Sequence, residues 1–225
     1  MIKNIVLVHG FWTDASSYSQ VISKLLAEGY EVIAVQNPLT SLADDVAATK
    51  RALTRIEGKC ILVGHSWGGT VITEVGNDER VSGLVYIAAL APETGESMID
   101  MMSKYVAPSQ HFQEHEGFIW ISKAGVQKVL ASDLTAPQSA LIHATQTPPS
   151  TSLMAAKIDS PAWKNKPCWY IVANNDQSVP PELQRDLSKR MSAKTIVVES
   201  SHVAMISHAQ EVVDVIKEAA VNSFT

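Results

Sequence analysis

The chain is poor in the residues that would tie it to disulfide, metal, nucleic-acid or membrane chemistry. It has two cysteines, Cys60 and Cys168. Each lies near the start of a strand-like run. A third strand is expected between those two, which sets the thiols about 10 Å apart, beyond disulfide reach. Both therefore read as small buried hydrophobes. No two His or Cys residues have ligand spacing on a shared element, so no metal site is expected. A Gly-x-Gly-x-x-Gly pattern and a P-loop are both missing, and no cofactor is implied. Lys and Arg never cluster beyond a pair and the formal net charge is −5. That balance argues against a nucleic-acid partner. No apolar run is long enough for a bilayer span or a signal-peptide core, and Met1-Ile2-Lys3-Asn4 enters a strand-like run at once. The expectation is a cytoplasmic protein with no membrane contact.

What remains is an ordinary globular composition, 46% hydrophobic and 18% charged over 225 residues. That length suits one domain with an insertion. Short apolar runs at Ile5–Val8, Val32–Val35, Cys60–Val63, Val81–Ala89, Trp169–Ala173 and Thr195–Val198 read as buried strands. Helical patterns lie between them. One runs from Tyr18 to Leu26 and stops at Gly29, and a second is capped by Ser41. A third starts near Pro181, and a last one carries a capping box of Ser207 and Gln210. Strands alternating with helices predict an α/β fold, a mostly parallel six-stranded sheet flanked by helices.

The alternation stops between the fourth and fifth strands. Short helical patterns at Met98–Met102 and Val126–Leu130 fill that stretch, with breaks at Pro108, Pro137, Pro148, Pro149 and Pro161. A loop this long without structure is rare in a compact domain. An inserted helical lid is expected over residues 91–164, with the core domain formed by 1–90 and 165–225.

Ligands of such sheets bind beyond the carboxyl ends of the strands. There the chain has His9-Gly10-Phe11-Trp12, Gly64-His65-Ser66-Trp67-Gly68, Asp176 and His202. The Gly-x-Ser-x-Gly turn puts Ser66 on a sharp bend between strand and helix with its hydroxyl exposed. A serine hydroxyl needs a base, and the base needs a partner to fix its tautomer. His202, directly after the last strand, is the candidate base. His9 and His65 are expected to hold loop backbone, His111, His115 and His143 to lie on the lid surface, and His208 to be solvated. Asp176 is the candidate acid. The oxyanion donors should be the backbone N–H groups of Phe11 and Trp67. Gly10 gives room beside them, and Trp12 either walls the substrate pocket or packs in the core.

With these residues the sequence resembles the α/β-hydrolase superfamily along nearly its whole length, closest to the small esterase branch that includes plant methylesterases and hydroxynitrile lyases. The resemblance rests on His9-Gly10-Phe11-Trp12, Gly64-His65-Ser66-Trp67-Gly68-Gly69, Asp176-Gln177-Ser178-Val179-Pro180 and Ser201-His202-Val203-Ala204-Met205. It implies the strand order 2-1-3-4-5-6 and a Ser66–Asp176–His202 triad; because some members of the superfamily carry the acid after the strand that precedes the lid, it also leaves Glu93 as a rival to Asp176. It also implies hydrolysis of a small, largely apolar carboxylic ester through an acyl-enzyme. Substrate contacts are expected from Gly10, Trp12, Met98, Met102, Phe118, Trp120 and Val203. Two other functions compete: a cofactor-independent lyase of the hydroxynitrile lyase type and a hydrolase-like receptor. In those lyases a threonine follows the first-strand histidine and a lysine follows the catalytic one; here Gly10 and Val203 stand there. The oligomeric state is open, a homodimer included.

Overall fold

The computed structural model describes residues 1–105 and 109–223. Pro108 lies outside the described residues. The strands are β1 (Asn4–Val8), β2 (Glu31–Val35), β3 (Cys60–His65), β4 (Val81–Ile87), β5 (Phe112–His115), β6 (Phe118–Ile121), β7 (Cys168–Ala173) and β8 (Lys194–Val198). Six of them make one parallel sheet in the order β2-β1-β3-β4-β7-β8. Once β5 and β6 are set aside, this is the order the sequence predicts. Every residue of β3 and β7 is buried, which requires helices over both faces. Cys60 and Cys168 sit on β3 and β7 with β4 between them, and both thiols are free and buried.

The helices are α1 (Ser19–Ala27), α2 (Leu42–Leu53), α3 (Trp67–Val75), α4 (Met98–Met102), α5 (Lys123–Gly125), α6 (Ala136–Thr145), α7 (Pro181–Arg190), α8 (Ala204–Ser207) and α9 (Ala209–Asn222). α1 packs with α9, and α2 with α3. Ser41 caps α2 as expected, its hydroxyl accepting the Asp44 amide at 3.1 Å. The Ser207–Gln210 capping box does not form. A separate short turn, α8, ends at Ser207, whose hydroxyl pairs with Ser200, while Gln210 bonds Asp214. Among the described residues no helix is long and apolar enough to cross a membrane.

Between β4 and β7 the chain is not purely helical. β5 and β6 form an antiparallel hairpin closed by Glu116 and Gly117, both at positive φ (50° and 79°). Two successive positive φ values are the mark of the tight turn that matches strand twist. Bonds that tie this segment to the core include Trp12 N–H to Thr147 O (3.1 Å), Ser150 N–H to Leu39 O (2.8 Å) and, from a side chain, the Trp12 indole to Ile119 O (2.8 Å).

The turn from β3 into α3 is held by close backbone approach. A Cβ on Gly68 would lie 2.2 Å from Val8 O, and one on Gly64 2.6 Å from Gly68 O. Two buried histidines brace the strand ends. His9 Nε2 accepts the Asn37 amide (2.9 Å), so its proton sits on Nδ1 and goes to Gly10 O (2.8 Å). His65 Nε2 faces His202 O at 2.9 Å, and a carbonyl only accepts, so Nε2 is the donor. Its Nδ1 is buried and has no hydrogen-bond partner among the described residues. Burial holds the His65 imidazole well below the usual histidine range, helped by the adjacent His202 ring. Burial also lowers His9, partly offset by its bond to Gly10.

Two predictions follow from this packing. Gly68→Ala pushes a methyl onto immovable backbone and should cost roughly 1–3 kcal/mol, seen as a lower melting temperature by circular dichroism. An unchanged melting curve would contradict the close approach. His65 stays neutral in the native core while the unfolded chain takes up its proton near pH 6.5. Its contribution is therefore present above that pH and lost as pH falls. Between pH 6.5 and 5.5 the wild type should lose about 1 kcal/mol more stability than His65→Gln. Urea titrations at the two pH values measure this, and equal losses would mean that His65 charges in the folded state.

Candidate active site

The carboxyl ends of β1, β3, β7 and β8 bring the predicted site residues together. Ser66, at φ 53°, occupies a conformation that L-residues rarely adopt. The surrounding bonds enforce it. Ser66 N–H goes to Ile87 O at 3.1 Å, and Ser66 O accepts the amides of Gly69 (2.9 Å) and Leu90 (3.1 Å). Gly10 lies directly against the serine, since a Cβ there would come within 2.6 Å of Ser66 Cβ.

Asp176 and His202 are each 1% exposed. His202 Nδ1 lies 2.7 Å from Asp176 Oδ2. A carboxylate only accepts, so Nδ1 carries a proton, and in the neutral ring the lone pair is on Nε2. The carboxylate is filled on every side. Its Oδ1 accepts the amides of Ser178 (2.7 Å) and Val179 (3.0 Å), and Oδ2 also accepts Gln184 Nε2 (2.8 Å). Asp176 does not cap α7, whose N-cap is Pro180. Glu93, its rival, stands apart in an exposed ion pair with Lys164. No hydrogen bond joins Ser66 Oγ to His202 among the described residues; the bonds of His202 are those to Asp176 and His65.

The Phe11 and Trp67 amides donate to no protein acceptor among the described residues. Their side chains stack at 5.1 Å between centroids. Behind them lies Asp45, 0% exposed, which the sequence reading did not single out. Asp45 accepts the Trp67 indole (2.8 Å) and the Leu39 amide (2.9 Å). Burial pushes its carboxyl up to about 6, against those two bonds. Its only signal was an Asp on the apolar side of an amphipathic helix.

In front of Ser66 is a cavity of about 220 Å³. Trp12, Met98 and Met102 line it, with Phe11, Leu90, Ile99, Phe112, Ile119 and Met154. Trp12 serves both roles weighed for it, being 6% exposed and stacked on Phe112 at 5.0 Å. Four expected contacts need correction. Phe118 and Trp120 fall on the opposite face of β6 from Ile119, because successive strand residues alternate. Trp120 is 40% exposed. Val203 is fully buried ahead of α8, and Gly10 lies beneath the serine; neither lines the cavity. Ser178, missed in the sequence, lines it one residue past the Asp176-Gln177 pair.

Comparison with known proteins agrees with this architecture. The chain is 25% identical over 240 residues to alpha/beta hydrolase nvfD of Aspergillus novofumigatus (strain IBT 16806), covering 96% of each chain. It is 30% identical over 131 residues to a carbendazim hydrolyzing esterase of Nocardioides sp. (strain SG-4G), covering 52% of this chain and 54% of that one. The crystal structure of polyneuridine aldehyde esterase superposes with a TM-score of 0.85 at 19% identity, over 97% of this chain and 99% of the other. The sequence profile of the alpha/beta hydrolase family matches residues 5–215, and the chain belongs to that family.

Proposed function

We propose that this protein is a serine hydrolase of small, largely apolar carboxylic esters that works through an acyl-enzyme. The observation that carries the reading is the cavity: Ser66 opens onto a space of about 220 Å³ walled by aromatic, methionine and aliphatic side chains. The buried Asp176–His202 pair beside it supplies a base with a fixed tautomer. Ser66 attacks the ester carbonyl as His202 Nε2 takes its proton. Catalytic hydrogen bonds often tighten only when substrate binds, which accommodates the open Ser66–His202 contact. The Phe11 and Trp67 amides, with no protein acceptor, receive the oxyanion. His202 then protonates the leaving alcohol and activates the water that releases the acid.

The cavity also supports a substrate class. It is below the usual size of drug-like pockets, about 300–1,000 Å³. A compact acyl group, short or aromatic, fits it. A charged substrate would lose hydration without gaining a partner, because among the described residues the lining carries no ionisable side chain. Cyanohydrin cleavage lacks comparable support, since among the described residues no lysine lines the cavity and buried Val203 follows His202. The names of the carbendazim hydrolyzing esterase and the pyrethroid hydrolase among its relatives support hydrolysis as the reaction type.

The test is turnover of a p-nitrophenyl short-chain ester. Ser66→Ala and His202→Ala should each lower kcat by roughly 10³-fold or more while the proteins stay folded. Asp176→Asn should be far more harmful than Glu93→Gln, because the amide favours the wrong imidazole tautomer. A tenth of wild-type activity in Ser66→Ala or His202→Ala would overturn the triad reading, and a reversed ranking of the two acid variants would move the acid to Glu93.

A further inference from the structure

The base sits in a loop after β8, and that loop is held from three directions. From β7, Asn175 N–H goes to Ser200 O at 3.0 Å. From within, the Ser200 hydroxyl donates to Ser201 O at 2.8 Å. From β3, His65 donates to His202 O. These bonds fix carbonyls on both sides of the imidazole-bearing residue. The N–H and hydroxyl of Ser201 are held by something else. Asp133, in the turn between residues 131 and 135, accepts the Ser201 amide on Oδ2 at 3.0 Å and the Ser201 hydroxyl on Oδ1. That turn is itself braced: Ala131 N–H closes on Val126 O at 2.7 Å, and Thr135 caps α6 together with Gln138.

We propose that Asp133 is a positioning residue for His202: reaching from the segment between β4 and β7, its carboxylate grips both donors of Ser201 and so sets where the neighbouring imidazole stands. The inference rests on His202 being the general base. Bonds to a carboxylate are about twice as strong as neutral ones. Two of them to one residue remove its freedom to rotate. Ser200, Ser201 and His202 are at most 1% exposed, so these bonds are shielded from bulk solvent. Asp133 itself faces solvent. Its loss should therefore leave the fold intact and be felt in the geometry of the base, where a displacement of about 1 Å can cost roughly 10²-fold in rate. The segment that covers the cavity would in this way also hold the catalytic histidine in register.

The experiment compares Asp133→Ala and Asp133→Asn with the wild type. Asparagine can keep both contacts, its Oδ1 accepting the Ser201 amide and its Nδ2 donating to the Ser201 hydroxyl, whereas alanine keeps neither. Asp133→Ala should lower kcat on a p-nitrophenyl ester about ten-fold, with KM within two-fold and the melting temperature within a few degrees of wild type. Asp133→Asn should recover to within about three-fold. A second readout does not depend on turnover: amide hydrogen exchange across residues 199–205 should speed up in Asp133→Ala and not in Asp133→Asn. Unchanged kcat in Asp133→Ala, or equal losses in both variants, would overturn the proposal. If exchange responds as expected but the wild type shows no Ser66-dependent turnover, the clamp stands and the hydrolase reading fails.

Discussion

The sharp turn at Ser66 is the constraint from which the surrounding architecture takes its form. Holding a serine at φ 53° needs a strand that ends abruptly, a helix that begins at once, and backbone close on every side. β3 lies central in a parallel sheet, so its end is fixed by β1 on one flank and β4 on the other. Gly64 and Gly68 admit Gly68 O and Val8 O at distances no side chain would allow. The same closeness sets the first-strand loop against the serine.

Around the imidazole the structure manages protons by burial. His9 and His65 are both neutral scaffolding rings, each with a tautomer dictated by a backbone partner. Their neutrality matters because the His65 ring centroid is 4.6 Å from that of His202. A second cation there would oppose an imidazolium at His202. The Asp176 carboxylate, saturated by two amides and Gln184, has little freedom to turn away from its histidine. Asp45 makes a comparable anchor for the start of α3 through the Trp67 indole.

Most of this was legible in the residues. The strands are continuous apolar runs, and a parallel sheet buried on both faces leaves just that trace. The site residues follow strands directly, so a rule about strand ends finds Ser66, Asp176 and His202 without any knowledge of distances. Where reading failed, the pattern was shared by two structures. The β5–β6 hairpin went unseen because Phe112-Gln113-Glu114-His115 carries a single apolar residue and its turn is Glu116-Gly117, without the Asn or Asp that usually marks it. Missing that hairpin put the cavity on the Phe118 and Trp120 face, when Ile119 points there. Ser207 and Gln210 have capping-box spacing, but Ser207 is taken by Ser200. Asp45 and Asp133 act through partners far away in sequence, at separations of 22 and 68 residues, which no local pattern encodes.

The central claim is that Ser66 becomes covalently acylated during turnover. The most direct measurement is intact-mass and peptide mass spectrometry of protein quenched in acid within the first turnovers of a p-nitrophenyl ester. One added acyl mass is expected on the peptide that contains Ser66, absent in Ser66→Ala and persistent in His202→Ala only to the small extent that this variant still reacts. Turnover with no acyl mass on that peptide, or an acyl group carried by another residue, would contradict it.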